Sequence, residues 1–350
     1  MDFGLTEEQV ELAGLTRKIL AERDAPWGDL AAAGVLAAGL PPALGGAGLG
    51  LLEQCSVLIE LGRSASSVPY LASVVLGAGA VAEFGTAAQR EQWAEPAGRG
   101  AVVLTAALAE EDGDDPRVPS ARAERADGQW VLTGMKTAVD AAPEAGLFLV
   151  PCASPAGVLV FLVAPSDAGV RVEPQRLTDF ASAGRVVLSG VTLGDDRVLG
   201  DAGVADWLVA RATVGLCAVQ SGVTERALEL TAEYAKSRMA FGRPIGSFQA
   251  VTQRLADAYV DVEAVRLTMW QAAWLLASGE AGADVAVATA KFWAAEAGHR
   301  VAHTAVHVHG GMGIDVSYPV HRFFVAAKQH EFALGGATTQ LLRIGGALAG

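Results

Sequence analysis

The sequence is poor in features that would point to several classes of protein. Its three cysteines, Cys55, Cys152 and Cys217, have no pair spacing, which argues against a disulfide framework or a zinc site and suits a reducing cytoplasm. Basic residues number 26 against 39 acidic ones, for a net charge of −13, so neither nucleic acid nor an anionic membrane is an expected partner. The longest apolar run, around residues 71–82, is too short to span a bilayer. We therefore expect a cytoplasmic protein.

Hydrophobic side chains are abundant by comparison. They make up 51% of the 350 residues. Without a membrane-spanning run, this much apolar surface favours burial between subunits. An oligomer, either a dimer or a tetramer, is the expectation.

The patterning changes twice along the chain and predicts an α+β fold. Residues 1–100 read as an N-terminal helical domain, in which Thr6-x-x-Gln9 predicts a capping box that opens the first helix. Residues 101–203 read as short β-branched strands between turn residues, which predicts a middle antiparallel β domain of sandwich or barrel type. Residues 204–350 read as a C-terminal four-helix bundle.

Two local expectations accompany this division. Segments 185–188 and 190–193 predict a final hairpin in the β domain. Glycine-rich breaks at 242–246, 279–282 and 310–313 divide the C-terminal region into four long helical segments.

Residues 234–249, YAKSRMAFGRPIGSFQ, form the most informative stretch. Arg238 and Phe241 lie three apart at the end of a predicted helix, just before a Gly-Arg-Pro turn. A guanidinium group there is able to bind a pyrophosphate in bidentate fashion, and a neighbouring ring is able to stack on adenine. The simpler interpretation is a surface arginine and a core phenylalanine.

A second stretch, residues 307–313, reads HVHGGMG. A glycine run between helices allows the main chain to approach a phosphate closely, and it also ends a helix. His299, His303 and His307 recur every four residues just before it. Metal sites rarely use three consecutive turns of one helix, because the outer ligands lie too far apart. We therefore expect no metal.

Both stretches resemble acyl-CoA dehydrogenases, flavoproteins whose signatures read YxxxRxxFGxPIxxFQ and QxHGGxG. The resemblance covers essentially the whole chain and includes the order helical, β, helical bundle. In that family FAD lies across two subunits, and these motifs reach the ADP half of a flavin bound mainly by a neighbour. The resemblance implies FAD, an acyl-CoA thioester substrate, and the cofactor-binding residues Arg238, Phe241, Gln249, His307, Gly310 and Gly311. His307 stands where the family has glutamine.

The chain departs from the family where the flavin ring would lie. Family hydroxyl residues that contact the ring and the thioester are replaced by Ala109 and Asp114. The aromatic residue beside the ring is replaced by Ala138, and another hydroxyl donor by Asp140. The acid-rich segment 110–115 reads as a solvated acidic loop, and its charge opposes an electron-rich reduced flavin.

The family's catalytic carboxylate is also missing. Its usual position falls at Leu334, or at Gly335 to Gly336 with a gap, and the position used by some members falls at Ala212. Glu331, one turn upstream, is the nearest available substitute for the base.

These observations leave three hypotheses open. The preferred one is a base-less subunit of a hetero-oligomeric acyl-CoA dehydrogenase, with two catalytic and two accessory chains, that completes the FAD site of a homologous partner. Such pairs are typical of bacterial pathways for bulky thioesters such as steroid side chains. The second is a homotetrameric enzyme that uses Glu331 or another acid. The third is a flavin-free scaffold.

Overall fold

The computed structural model describes residues 3–22, 26–111, 113 and 115–349. Tertiary contacts group the chain into two compact units, each assembled from segments that are distant in sequence. The helical unit comprises Met1–Ala21, Cys55–Ser66 and Leu216–Gly350. The β unit comprises Glu22–Gln54 and Ser67–Gly215. The division at residues 100 and 203 follows the order of the chain rather than these units, and it stays a prediction.

Helices occupy both ends of the chain. They are α1 Glu7–Glu22, α2 Pro26–Ala32, α3 Leu51–Arg63, α4 Gly79–Phe84, α5 Ala87–Gln89, α6 Glu95–Gly98, α7 Val204–Ser237, α8 Gln249–Ser278, α9 Ala283–His309, α10 Pro319–Phe332 and α11 Ala337–Ala349. Two π-helical segments, Leu71–Ala78 and Arg90–Ala94, precede α4 and α6. Among the described residues, no helix combines the length and apolar character needed to cross a membrane.

The expected capping box opens α1. The Thr6 N–H donates to Gln9 Oε1 over 2.9 Å, and the Gln9 N–H donates to Thr6 Oγ1 over 3.2 Å. This reciprocal pair satisfies donors that have no partner inside a helix. The local signal in the sequence was sufficient here because both partners lie within one turn.

The three predicted glycine breaks in the C-terminal region are confirmed, but the number of helices was wrong. Five helices, α7 to α11, replace the expected four. The extra break follows α10, where Leu334 and Gly335 have φ angles of +59° and +91°. Two consecutive residues in the left-handed region cannot continue an α-helix, so the last segment divides.

The β unit contains one eight-stranded sheet. Its strands are β1 Val103–Ala106, β2 Arg122–Ala126, β3 Gln129–Asp140, β4 Ala145–Ser154, β5 Gly157–Val163, β6 Val170–Arg176, β7 Ser182–Leu193 and β8 Val198–Leu199. Their order is β6-β7-β3-β2-β4-β5-β8, with β1 paired to β4. Most pairs are antiparallel, whereas β1–β4 and β2–β4 are parallel, so the sheet is mixed rather than purely antiparallel.

The expected final hairpin is instead one continuous strand, β7. Residues on both sides of Gly190 pair with β3, from Leu193 opposite Trp130 to Ala183 opposite Asp140. A shift of register between Leu132 and Thr133 absorbs the irregularity. The glycine marks a bulge rather than a turn.

The core of the β unit is apolar and aromatic. Phe148 and Phe161 are fully buried, and Trp130 contacts Phe161 edge-on with ring centroids 5.5 Å apart. Alternation of buried and exposed residues along β3 and β7 places one face of each strand in this core. This packing fixes the position of β3, the strand that contains Ala138 and Asp140.

Candidate functional site

The first motif lies where the chain turns from α7 into α8. Met239–Ala240 pairs antiparallel with Arg243–Pro244 as a short hairpin, β9 and β10. The Ile245 N–H donates to the Arg238 carbonyl over 2.8 Å, which closes the base of this hairpin. The guanidinium-bearing side chain of Arg238 is exposed. The turn therefore presents Arg238 and Phe241 from a hydrogen-bonded frame.

Phe241 is the most unusual residue of this turn. Its side chain is 97% exposed, and its φ angle is +50°. The left-handed region costs a residue with a Cβ roughly 1–2 kcal/mol, and an exposed ring gains little from the hydrophobic effect. The simpler interpretation of Phe241 as a core residue is therefore wrong. A ring that is both strained and uncovered indicates a role in contacting something outside this chain.

The second motif follows α9. Gly310 has φ +62° and ψ −139°, a combination that residues with a Cβ avoid. A Cβ built at either Gly310 or Gly311 has nothing within 4 Å. At Gly313, by contrast, a Cβ would lie 2.8 Å from Val306 Cα. The glycines of this loop thus serve two purposes, an open main chain at the first two positions and close packing at the third.

An aromatic contact joins the two motifs. The Tyr234 ring, on the last turns of α7, stacks on the His309 ring at the end of α9 with centroids 4.3 Å apart. The Tyr234 hydroxyl lies 4.0 Å from Met312 Sδ. His309 Nδ1 lies 2.8 Å from the Ala305 carbonyl, and burial lowers the pKa of this imidazole. A neutral imidazole that donates through Nδ1 fits this geometry, and it fixes the ring against Tyr234.

The structure brings together some of the predicted cofactor residues and leaves others apart. The Tyr234–His309 contact couples the Arg238–Phe241 turn to the Gly310 loop. Among the described residues, no side-chain hydrogen bond or ring contact joins Gln249 or His307 to Tyr234 or His309. Both side chains are exposed, Gln249 at the start of α8 and His307 on the last turn of α9.

Residues 334–336, where the base is expected from the sequence, contain no acid. α10 ends at Phe332, and the following loop contains Leu334 and Gly335. The Gln340 side-chain amide of α11 donates to the carbonyls of both residues, over 3.0 Å and 3.1 Å. The main chain of this loop is therefore held by the protein itself. Ala212, the alternative position, is buried in α7.

Glu331 is engaged in a charged cluster. Lys328 Nζ donates to its carboxylate over 2.5 Å, and His299 Nδ1 lies 3.1 Å from the same oxygen. His303 stacks beside His299 with ring centroids 4.3 Å apart. A carboxylate whose oxygens already accept from a lysine has less capacity to accept a substrate proton. In the part of the chain that the structure describes, no group of three ligating side chains is placed to hold a metal ion.

Glu110, the first residue of the expected solvated acidic loop, is not solvated. Glu110 and Lys136 form a buried ion pair, with Nζ 2.6 Å from Oε1 and side chains 5% and 0% exposed. Ser120 donates to Glu110 Oε2 through both its N–H and its hydroxyl. Burial acts to raise the pKa of Glu110, but the hydrogen bonds from Lys136 and Ser120 outweigh it and lower that pKa. This acid is a structural anchor, because its lone pairs are satisfied internally. Asp112 and Asp114 lie outside the described residues.

The main chain beside Ala138 is similarly occupied. Ala138 has a φ angle of +48°, and its N–H donates to Gln175 Oε1 on β6 over 2.8 Å. The Gln175 amide nitrogen donates in turn to Thr137 Oγ1 over 3.1 Å. The Thr137 N–H donates to the Ala109 carbonyl over 2.9 Å. Polar atoms at this segment of β3 are thus paired within the β unit, while Asp140 is exposed at the end of the strand.

The chain is similar to known families and proteins over most of its length. The family models for the acyl-CoA dehydrogenase N-terminal and C-terminal domains match residues 6–101 and 203–349. The chain belongs to the acyl-CoA dehydrogenase family. It is 47% identical to acyl-CoA dehydrogenase FadE27 of Mycobacterium tuberculosis, with 100% of this chain and 99% of the relative covered.

Two solved structures resemble it closely. A chain of the ChsE4-ChsE5 complex from Mycobacterium tuberculosis matches with a TM-score of 0.94 and 48% identity, over 100% of this chain and 99% of the other. A chain of the Tcur3481-Tcur3483 steroid ACAD G363A variant matches with a TM-score of 0.93 and 39% identity, over 98% of both chains. These similarities confirm the α+β fold expected from the sequence.

Within this acyl-CoA dehydrogenase chain, three functional or structural contacts were missed by sequence reasoning. They are the Tyr234–His309 stack, the Glu110–Lys136 ion pair and the Gln175 hydrogen bond to Ala138. Tyr234 and His309 stand within motifs that had been recognised, so a signal was present for that pair. Gln175 lies in a segment without any distinguishing pattern, and its partner is 37 residues away.

Proposed function

We propose that this chain is the accessory subunit of a hetero-oligomeric acyl-CoA dehydrogenase. It supplies ADP-side contacts to a FAD held mainly by a homologous partner subunit, and the partner supplies the catalytic carboxylate. One observation carries this proposal. The exposed Arg238–Phe241 turn and the open Gly310 loop are held together by the Tyr234–His309 stack, while the usual base position holds Leu334.

The residues of the helical unit suit the ADP half of FAD. Arg238 offers a planar guanidinium group that suits a pyrophosphate. Phe241 offers an uncovered ring for stacking on adenine. Gly310 and Gly311 leave space for a phosphate or ribose to approach the main chain. A ligand contacted at these points would also offset the strain of Phe241.

The residues of the β unit do not suit a flavin ring. The Ala138 N–H is paired with Gln175, and the residue at position 138 has no aromatic ring. Ala109 has no hydroxyl group. The Glu110 carboxylate is committed to Lys136 and Ser120. The chain would therefore bind FAD at the ADP end and leave the ring to its partner.

The same division assigns the chemistry to the partner. Dehydrogenation needs a carboxylate that removes the α-proton of an acyl-CoA thioester and a bound FAD that accepts the β-hydride. This chain would position the cofactor and shape the acyl cavity. A bulky acyl group such as a steroid side chain is the proposed substrate class, since the similar Tcur3481-Tcur3483 complex is a steroid enzyme by its name.

Exposed apolar side chains support a partner interface around the proposed ADP contacts. Met239, Met312, Ile314 and Val316 are 56%, 43%, 63% and 75% exposed. They lie within a few residues of the two motifs in sequence. Apolar side chains concentrated in this way are typical of surfaces that a second subunit covers.

The flavin content of purified protein tests the proposal. We expect the chain alone to be colourless, and the chain co-expressed with its homologous partner to contain about one FAD per two chains, as a shared site requires. A yellow chain near one FAD per subunit would contradict the proposal and favour a self-sufficient homotetramer. A colourless complex would favour the flavin-free scaffold.

The variant Glu331→Gln distinguishes a base supplied by the partner subunit from a base supplied by Glu331. If the partner provides the base, turnover by the co-purified complex changes little, because the Glu331 carboxylate takes no part in proton transfer. A loss of turnover by about a hundredfold or more, the usual contribution of a general base, would assign the base to Glu331. Retained folding of the variant is checked by its thermal unfolding midpoint.

A further inference from the structure

The turn from α7 to α8 contains a second exposed arginine, Arg243, at a position for which the family signature specifies no residue. Its guanidinium carbon lies 4.3 Å from the centroid of the Phe248 ring. A cation at this distance from the face of a ring is attracted by the quadrupole of the ring. Among the described residues, the guanidinium group of Arg243 forms no hydrogen bond or ion pair. The stack therefore restrains this group and leaves its donors available to a ligand.

The same Phe248 ring also contacts Phe241. Their ring centroids lie 6.2 Å apart, and the ring planes meet at 86°, which is an edge-to-face arrangement. Because Phe241 is 97% exposed, this contact restrains its ring and leaves almost all of it uncovered. One half-buried ring thus touches both exposed groups of the turn.

The backbone of Phe248 is fixed on both sides of the residue. Its N–H donates to the Ile245 carbonyl over 3.1 Å, and its own carbonyl accepts from the N–H groups of Val251 and Thr252, each over 3.0 Å. The first bond ties Phe248 to the hairpin side of the turn, and the other two tie it to the first turn of α8. The ring is therefore attached to a frame that is hydrogen-bonded within this chain.

The stretch between Glu233 and Asp257 is basic in an otherwise acidic chain. It contains four basic residues and no acidic one, although the net charge of the whole chain is −13. The four are exposed and, among the described residues, form no ion pair, namely Lys236, Arg238, Arg243 and Arg254. Five other arginines of the helical unit are paired with acids, namely Arg17, Arg63, Arg226, Arg266 and Arg300. The unpaired positive charge at this turn would attract an anion.

We propose that Arg243 is a second anion-binding residue at the ADP end of FAD, and that Phe248 is its positioning residue. Arg243 contacts the pyrophosphate together with Arg238, so that two guanidinium groups face a group with two negative charges. Phe248 holds Arg243 and Phe241 at a fixed separation from each other. This inference rests on the proposed function, because it assigns further residues to the same FAD site.

FAD binding by the co-purified complex tests the role of Arg243. Arg243→Gln should weaken FAD binding by about five- to tenfold, because a charge that faces the pyrophosphate is lost. Arg254→Gln removes an exposed, unpaired arginine of the same stretch and should stay within about twofold of the unchanged complex. The FAD affinity of Arg243→Gln should also depend less steeply on salt concentration. Equal affinities in the two variants would overturn the proposal. Loss of the partner subunit with unchanged FAD affinity would also overturn it, by assigning Arg243 to the protein interface.

A double-mutant cycle tests the role of Phe248. Phe248→Leu should weaken FAD binding by about three- to tenfold, whereas Phe248→Tyr keeps the ring and should stay within about twofold of the unchanged complex. In the double variant Phe248→Leu/Arg243→Gln, the loss of Arg243 should cost less affinity than it costs alone, because the guanidinium group is no longer held over a ring. Fully additive losses would refute the positioning role.

Two further variants keep the outcome decisive. If Phe248→Leu does not assemble, Arg243→Lys replaces it, since lysine keeps the charge but lacks the planar group that stacks on the ring. FAD binding by Arg243→Lys should be about threefold weaker, and unchanged binding would contradict a role for the stack. If Arg238→Ala weakens FAD binding and Arg243→Gln does not, only this inference is refuted. If neither variant weakens it, the proposed function is refuted as well.

Discussion

The helical unit and the β unit differ in whether their predicted cofactor-contacting groups are exposed or bonded within the unit. In the helical unit, Phe241 is strained and uncovered, and the main chain at Gly310 is open. In the β unit, the Ala138 N–H and the Glu110 carboxylate are bonded within the unit. A polar group that is satisfied internally gains little from a ligand, whereas an exposed one retains its full capacity to bind. The contrast agrees with the proposed accessory role, in which the helical unit rather than the β unit contacts FAD.

The largest expected effect tests whether the β unit depends on its internal pairing. Lys136→Met should lower the free energy of unfolding by about 3–5 kcal/mol, because it leaves the buried Glu110 charge unpaired. Urea denaturation measures this change. The double variant Glu110→Gln/Lys136→Met should cost less than Lys136→Met alone, since no lone charge remains. A cost below about 1 kcal/mol for Lys136→Met would show that Glu110 is solvated after all.

The next largest effect tests whether the exposed Arg238 of the helical unit contributes to FAD binding rather than to stability. Arg238→Ala should weaken FAD binding by the co-purified complex by about 1.5–3 kcal/mol, or roughly ten- to a hundredfold, as expected for a charge-assisted hydrogen bond. Its unfolding free energy should change by less than about 0.5 kcal/mol because the side chain is exposed. Arg254→Ala, an exposed arginine on α8, is the matched control. Equal flavin affinity in both variants would remove Arg238 from the site.

A smaller effect is expected where the two flavin motifs meet. Tyr234→Ala should weaken FAD binding by about 1 kcal/mol, because the stack on His309 no longer fixes the turn relative to the Gly310 loop. Flavin release from the complex, followed by fluorescence, gives the affinity. Tyr234→Phe keeps the ring and should behave like the unchanged chain. If the phenylalanine variant is equally impaired, the hydroxyl group rather than the stack is responsible.

The smallest expected effect comes from a change at Phe241 that should raise the stability of the chain and weaken its binding of FAD. Phe241→Asn should raise the free energy of unfolding by about 0.5 kcal/mol, because asparagine tolerates a positive φ angle better. The same change should weaken FAD binding by the complex, since the stacking ring is lost. Chemical denaturation and flavin titration are compared on the same preparation. A loss of stability would mean that the ring contributes to packing in this chain.

Sequence reasoning succeeded where partners are close along the chain. The Thr6–Gln9 capping box and the three glycine breaks between the long helices rest on contacts within one turn, which residue type largely determines. It was less successful at the end of the bundle, where Leu334 adopts a left-handed conformation that its residue type disfavours. At Phe241 residue type alone predicts burial, whereas the motif around it predicts a contact with a cofactor, and the fold leaves the ring exposed.

The sequence by itself determined the family and the order of helical and β segments, and it predicts that no acid stands at the usual base position. Only the tertiary structure decided which polar groups are bonded within the chain and which remain free to contact a ligand. The pairing of Glu110 with Lys136, of Ala138 with Gln175 and of Tyr234 with His309 joins residues that lie 26 to 75 positions apart. The physical reason is that availability depends on burial and on hydrogen-bond partners, and both are set by long-range packing rather than by local residue patterns.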